Sequence, residues 1–387
     1  MNPHLTGPAV VPDPAELGAV QRLCDVPEPY RHDDETDGLF IEAMNESNRW
    51  HAARSPFYKS LSDGLAPLES ISDLARQPFV HANFFKMHEV LSVPRDEVAV
   101  HATSSGTTGQ KSQMFWDAWT LRAGQRMVAR IFDHYGWIDD REDVHYLLYT
   151  NQPQPGLKLG SSFTGQFMTD FAPAASVDYG LAHTGTGHEF DAFGCVRALE
   201  RFGCEGGPVR IFGFPAFLSF TLDRMRAMGV GPLELDERSL ILFGGGWKGN
   251  ADKQIAKSEL YRRISDQLGI PLARIRDGFG SVEHSIPYLE CANHRLHVPT
   301  WSRVLTRSVR TLEPLPHGEP GYLQFVSPYI TSAPAQSVLM GDLASLHGAD
   351  ECDCGNGTPW FEIHGRAGIS RNRSCAIAAA ELLKDRS

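Results

Sequence analysis

The spacing of apolar residues along the middle of the chain predicts alternating strands and helices. After Asp117, a suitable N-cap, apolar side chains recur every four residues until Gly136, which is typical of one helix face. Asn250 is a second expected cap, opening a helix that ends at Gly269. The other predicted strands are 143–150, 209–214 and 239–246, and the other predicted helices are 190–203 and 215–229. This alternation predicts an α/β fold with mainly parallel sheets covered by helices.

The two ends of the chain differ from this middle part. The first 95 residues are rich in proline, histidine and acidic residues, with helical patterns near 38–62 and 71–76. From residue 287 onward, short strand patterns alternate with Pro and Gly turns. The predicted organisation is a helical N-terminal region (1–95), an α/β core (96–286), a β-rich subdomain (287–366) and a short C-terminal tail (367–387).

Composition narrows the class of protein. The 387 residues carry a net charge of −11, which argues against a nucleic-acid partner. No apolar run approaches the ~18 residues of a membrane-spanning helix, and the N-terminus has no secretory pattern. The seven scattered cysteines favour reduced thiols or metal ligands over a disulfide framework. We therefore expect a cytoplasmic protein.

The segment Ser104–Lys111 has the composition of a phosphate-binding loop. Its four hydroxyl side chains can donate hydrogen bonds, its two glycines let the backbone approach a polyanion, and Lys111 adds a positive charge. The alternative is an ordinary polar turn. The Walker A pattern does not fit, because Gln110 separates Gly109 from Lys111. The expected phosphate contacts come from Ser104, Ser105, Gly106, Thr107, Thr108, Gly109 and Lys111.

This run resembles the Ser-Gly-Thr-Thr-Gly-x-x-Lys loop of the adenylate-forming enzymes, which include acyl-CoA synthetases and peptide-synthetase adenylation domains. In that family the loop holds the β- and γ-phosphates of ATP while a carboxylate attacks the α-phosphate. Three further segments resemble family motifs and follow in the family's order, namely "DGFGSVEH" (277–284), "LMGDLASL" (339–346) and "HGRAG" (364–368).

The resemblance implies a nucleotide site. Glu283 would bind Mg²⁺, in keeping with the preference of that ion for carboxylate oxygens. Asp342 would accept the ribose hydroxyls, and Arg366 would lie beside the ribose and phosphate. The adenine site implied by the resemblance comprises Asp277 near the exocyclic amine, Phe279 stacking on the ring, the adjoining Gly280, and the backbone of Gly244, Gly245 and Gly246.

The C-terminal tail offers an acyl acceptor. Only 21 residues follow Arg366, fewer than the ~50 of an independent domain, so the family's usual C-terminal domain is not expected. Cys375 follows Arg371 and Arg373 and opens a helical pattern, features that lower the pKa of a thiol. The alternative is a small buried cysteine. The whole pattern resembles the acyl-protein synthetase (LuxE-type) branch, which is close to the phenylacetate–CoA ligases. That resemblance implies acyl transfer to Cys375.

A cysteine and histidine group in the β-rich part suggests a metal site. Cys291, Cys352 and Cys354 with one imidazole, from His294 or His297, could complete a tetrahedral zinc site. A similar arrangement in phenylacetate–CoA ligases favours His297. The alternative is that these are free core cysteines near a surface histidine.

Together these features predict a ligase that uses ATP and Mg²⁺. It would activate a carboxylic acid, in the family a fatty acid, and pass the acyl group through Cys375 to a partner acyl reductase. Lys111, Arg366 and Cys375 are the expected catalytic residues, and segments 161–167 and 210–220 are expected to line the acyl pocket. One alternative is an acyl- or aryl-CoA ligase or an enzyme that loads a carrier protein. Another is a non-catalytic nucleotide-binding partner.

Overall fold

A computed structural model describes residues 9–103, 113–153, 167–185 and 187–367. These residues form two compact units. The first contains 132–279 and 289–294, and the second contains 9–131, 280–288 and 295–367. The α-helices are α1 (Gly18–Asp25), α2 (Asp34–Arg54), α3 (Pro56–Leu61), α4 (Phe84–Met87), α5 (Ala118–His134), α6 (Ala192–Glu205), α7 (Pro215–Ala227) and α8 (Lys257–Leu268).

The first unit is built on a seven-stranded sheet. Its strands are β4 (Val144–Asn151), β5 (Ala174–His183), β6 (His188–Phe190), β7 (Val209–Gly213), β8 (Leu240–Gly244), β9 (Ile275–Phe279) and β10 (Tyr288–Leu289). Their order in the sheet is β10-β9-β8-β7-β4-β5-β6. The pairs β4–β5, β4–β7, β7–β8 and β8–β9 are parallel, whereas β5–β6 is antiparallel. The mainly parallel sheet that the alternating pattern predicted is thereby confirmed.

Alternate strand residues hold α6, α7 and α8 against this sheet. Leu147, Ile211, Ile241 and Ile275 point into one core cluster, which includes Ile264 of α8 and side chains from both other helices. Each of these five residues is fully buried. Burying one such side chain contributes about 1.5–3 kcal/mol, so the shared cluster fixes the strand ends that carry the site.

The helix ends test the predicted caps. Asp117 accepts a hydrogen bond at Oδ1 from the amide of Thr120 (2.7 Å), so its predicted role as the cap of α5 is confirmed. The prediction for Asn250 is wrong. Residues Lys248–Lys253 form a 3-10 helix in which Asn250 has non-helical angles, and α8 begins only at Lys257. The extended backbone at Gln254 and Ala256 separates the two elements, which is why a continuous helix cannot form. Gly269 ends α8 in the left-handed conformation, as its position predicted.

The second unit contains a six-stranded sheet and a hairpin. The strands are β1 (Val80–His81), β2 (Val98–Thr103), β3 (Gln113–Asp117), β11 (Leu296–His297), β12 (Arg303–Arg307), β13 (Gly321–Val326), β14 (Ser337–His347) and β15 (Trp360–Arg366). The sheet has the order β11-β15-β14-β13-β12, with β1 parallel to β14, and the hairpin pairs β2 with β3. The short strands predicted after residue 287 are thus confirmed, whereas β1, β2 and β3 were not predicted.

Helix α2 is anchored to the buried segment that precedes β14. Trp50 donates from Nε1 to the carbonyl of Thr331 (2.8 Å), and the ring nitrogens of His51 lie 2.8 Å from Ser92 Oγ and 3.1 Å from the carbonyl of Ile330. Burial lowers the pKa of His51 to about 3, so the ring is neutral in this position. Within the described ranges, we find no helix with the length and apolar character needed to cross a bilayer.

Candidate active site

Asp342 and Arg366 face each other across the central pair of strands in the second unit. They are register partners on β14 and β15, and Arg366 Nε lies 3.3 Å from Asp342 Oδ1. The side chain of Asp342 is 8% exposed and that of Arg366 is 78% exposed. Burial raises the pKa of Asp342, Arg366 partly offsets this rise, and the nearby carboxylate of Glu283 adds to it. The pair presents a buried acceptor beside an exposed cation, which suits a ribose phosphate.

Glu283 occupies a tight turn in the same unit. The amides of Ser285 and His284 donate to the carbonyl of Ser281 (2.7 and 3.3 Å), and Ser285 adopts a φ of 58°. Glu283 is 5% exposed, yet no residue of the described ranges hydrogen-bonds to or ion-pairs with its carboxylate. Burying a carboxylate without a partner is unfavourable. The Glu283 side chain is therefore suited to bind a cation that enters the site together with a ligand. A hard oxygen ligand of this kind fits Mg²⁺.

The buried ring of His284 anchors this turn to the neighbouring residues. The sequence analysis did not predict this role. Its Nε2 lies 2.8 Å from the hydroxyl of Tyr288 and 3.3 Å from Ser302 Oγ, and its ring stacks on Phe325 at 4.6 Å. Burial lowers the pKa of His284 to about 3. A neutral, immobile ring thus follows Glu283 directly in the chain and restricts the positions that its carboxylate can adopt.

In the first unit, the predicted adenine residues meet at the carboxyl ends of two adjacent strands. Gly244 is the last residue of β8, and the next two residues, Gly245 and Gly246, have φ values of 75° and 65° that favour glycine. A Cβ atom added to Gly244 or Gly246 would meet nothing within 4 Å, so the backbone is accessible to a ligand. Asp277 lies on β9 beside Phe243, and the half-buried Phe279 ends that strand. Ligands commonly bind at this edge of a parallel sheet.

A group of ionisable residues surrounds Asp277. Lys257 Nζ lies 3.3 Å from Asp277 Oδ2 and 2.6 Å from Glu290 Oε1. Glu290 also accepts from the Tyr261 hydroxyl (3.0 Å) and from the amide of Asp277 (2.8 Å). Burial raises the pKa of Asp277, although Lys257 opposes the rise. The sequence analysis missed Lys257, Tyr261 and Glu290, because only the fold brings them to Asp277.

The first unit also contains a group of packed aromatic side chains. Phe217 of the predicted acyl-pocket segment 210–220 packs on Phe190 at 4.9 Å and on Tyr149 at 6.2 Å between ring centroids. Phe190 and Phe220 also line a groove of about 500 Å³. Its lining is mixed, because three aromatic rings and two alanines stand beside the charged side chains of Asp191, Asp223 and Arg224. Most of segment 161–167 lies outside the described residues.

The structure brings the predicted metal ligands together. One ligand atom from each of Cys291, His297, Cys352 and Cys354 lies within 4.8 Å of all the others. His297 Nε2 lies 3.2 Å from Cys354 Sγ, while its Nδ1 lies 2.8 Å from a backbone carbonyl. Burial lowers the pKa of His297, which favours the neutral imidazole that binds metals. In a tetrahedral site with Zn–S bonds of ~2.3 Å, sulfur atoms are about 3.8 Å apart, so the group fits zinc.

The other predicted residues have different positions. His294 Nδ1, the alternative zinc ligand, lies 3.4 Å from Glu290 Oε2 and does not belong to the cysteine group. Gly280 is exposed and precedes the turn of Glu283. The phosphate loop and the acyl acceptor lie outside the described residues, and these positions are Ser104, Ser105, Gly106, Thr107, Thr108, Gly109, Lys111 and Cys375.

Comparison with known proteins identifies the family. The family model "Acyl-protein synthetase, LuxE" matches residues 63–384. The chain belongs to the LuxE acyl-protein synthetase family. A member from Vibrio harveyi, a long-chain-fatty-acid–luciferin-component ligase, is 24% identical over 86% of this chain and 85% of its own length. A phenylacetate–coenzyme A ligase from Thermus thermophilus is 26% identical over 78% of this chain and 63% of its own. The predicted relationships are therefore confirmed, and this LuxE-family chain is a ligase.

The fold of this LuxE-family ligase matches that of adenylate-forming enzymes. A crystal structure of 2-hydroxyisobutyryl-CoA ligase, in complex with 2-HIB-AMP and CoA, superimposes with a TM-score of 0.66 at 18% identity. The match covers 87% of this chain and 69% of that one. The predicted α/β fold class is thus confirmed.

Proposed function

We propose that this ligase activates a long-chain fatty acid with ATP and transfers the acyl group to its own Cys375. The observation that carries the proposal is the geometry of the second unit. There the buried Glu283, which has no partner among the described residues, raises the pKa of Asp342, and Asp342 is paired with Arg366. Membership of the LuxE family and the name of the Vibrio harveyi relative support the fatty acid as substrate.

The first step forms an acyl-adenylate. A carboxylate oxygen of the fatty acid attacks the α-phosphorus of ATP, the bond to the β-phosphate breaks, and pyrophosphate leaves. Asp342 would hold the ribose hydroxyls, Arg366 the ribose and phosphate, and Lys111 with the hydroxyls of its loop the β- and γ-phosphates. Glu283 would hold Mg²⁺, which when bound neutralises phosphate charge. Apolar residues such as Phe190 would bind the acyl chain.

The second step transfers the acyl group. The Cys375 thiol loses its proton to solvent, and the thiolate attacks the acyl carbon. The carbon–oxygen bond to the phosphate breaks, and AMP leaves. The resulting thioester would be delivered to a partner acyl reductase that makes an aldehyde, as the family resemblance implies. The four ligands Cys291, His297, Cys352 and Cys354 would hold a structural zinc ion.

Radiolabelled fatty acid tests the proposal. After incubation with ATP and Mg²⁺, denaturing electrophoresis should show label on the protein, and hydroxylamine should remove it because thioesters are labile to this reagent. Label on added coenzyme A, with none on the protein, would instead support a CoA ligase. Failure to label any acceptor, with no pyrophosphate released for any carboxylic acid, would leave a non-catalytic nucleotide-binding protein.

A further inference from the structure

The carboxylate of Asp277 is held from several sides in the first unit. Its Oδ1 accepts from the amide of Gly278 (2.9 Å), and its Oδ2 lies 3.3 Å from Lys257 Nζ. The amide of Asp277 donates to Glu290 Oε2 (2.8 Å), so its backbone is fixed as well. The side chain is nevertheless 30% exposed. The Asp277 carboxylate is therefore a hydrogen-bond acceptor with a fixed orientation. It remains accessible to a ligand beside the glycine turn that follows β8.

Lys257 connects this acceptor to a rigid support. Glu290 is fully buried, and both of its carboxylate oxygens have donors, one from Lys257 (2.6 Å) and the other from Tyr261 (3.0 Å). Lys257 thus bridges two carboxylates, of which only that of Asp277 is accessible to a ligand. Without the lysine, two negative charges would face each other in a partly buried position, which is unfavourable.

We infer that Lys257 is a positioning residue that keeps the Asp277 carboxylate oriented to accept a hydrogen bond from the exocyclic amine of adenine, with Glu290 and Tyr261 as its support. The inference rests on the proposed use of ATP. It adds that selectivity for the 6-amino group of the base depends on a lysine that does not itself contact the base.

Two nucleotides that differ only in this amine test the inference. Purine riboside triphosphate lacks the 6-amino group of ATP, and competition binding in Mg²⁺ gives the affinity of each. The wild-type protein should prefer ATP by about tenfold or more, the effect of one hydrogen bond to a charged group. Asp277→Ala and Lys257→Met should weaken ATP binding and so bring the ratio of the two affinities close to one. Lys257→Arg keeps the positive charge and should retain most of the preference for ATP.

The controls separate positioning from loss of structure. Lys59→Met, which changes an exposed lysine of α3 in the other unit, should leave both affinities unchanged. If Lys257→Met weakens both nucleotides equally and preserves the ratio, its role is merely structural and the inference is wrong. A wild-type ratio near one would also overturn it. Failure to bind either nucleotide would overturn the proposed function itself, which is a different result.

Discussion

At the scale of single residues, Glu283 combines burial with the absence of a partner among the described residues. Carboxylates are rarely buried without a partner, because desolvation disfavours the charged form. The structure places this side chain near Asp342, a second carboxylate whose pKa is raised by burial. The repulsion between these two carboxylates would be relieved by a cation that binds together with the substrate. The resemblance to adenylate-forming motifs predicted this role, but the burial could be seen only in the structure.

We expect Glu283→Gln to reduce acyl-adenylate formation by about a hundredfold or more, the order seen when one charge-stabilising contact is removed. The amide keeps the size of the side chain but loses the charge that would bind Mg²⁺. Pyrophosphate release with saturating ATP and fatty acid measures the effect, and thermal melting checks the fold.

Glu362→Gln provides the matched control, since it removes the charge of an exposed glutamate on β15 in the same unit. It should release pyrophosphate at the wild-type rate. The assignment of Glu283 is wrong if its folded glutamine variant does the same.

At the scale of elements, the sequence correctly predicted those features that depend only on interactions between residues close together in the chain. The period of α5 and its cap at Asp117 were correct, because both depend on neighbouring residues. The prediction that Asn250 caps α8 was wrong. The polar segment around it is compatible with an α-helix but folds as a 3-10 helix before α8. The parallel pairing of β1 with β14, where Val80 meets Val338, was not predictable from either strand. The contact of Lys257 with Asp277 was missed for the same reason.

The ligands of the cysteine group come from separate elements that a metal would join. We expect about one zinc ion per chain by elemental analysis and its loss in Cys352→Ser. Structural zinc stabilises small domains by ~10 kcal/mol or more. The melting temperature of Cys352→Ser should therefore lie about 10 °C or more below that of the wild type. Cys204→Ser, at an exposed cysteine of α6 outside the group, is the control and should keep its zinc. Protein that contains no metal and melts unchanged in chelator would identify the group as ordinary cysteines.

At the scale of the whole molecule, the proposal assigns base and ribose binding to described residues, and phosphate binding and acyl transfer to Ser104–Lys111 and Cys375, which lie outside them. The residues proposed to bind the base lie around Asp277 in the first unit, and the Asp342–Arg366 pair, proposed to bind the ribose, lies in the second. Cys375, the proposed acceptor, lies outside the described residues, and its proposal rests on the sequence and on membership of the family. Its chemistry requires a thiolate, because a serine hydroxyl is far less nucleophilic near neutral pH.

Mass spectrometry of the intact protein, after incubation with ATP, Mg²⁺ and a long-chain fatty acid, tests this account most directly. The wild-type chain should gain the mass of one acyl group. Cys375→Ser should gain none, yet it should release about one pyrophosphate per chain and retain the acyl-adenylate, because its nucleotide site is unchanged. Cys204→Ser should acylate like the wild type. The account is contradicted if Cys375→Ser gains the acyl mass as readily as the wild-type protein.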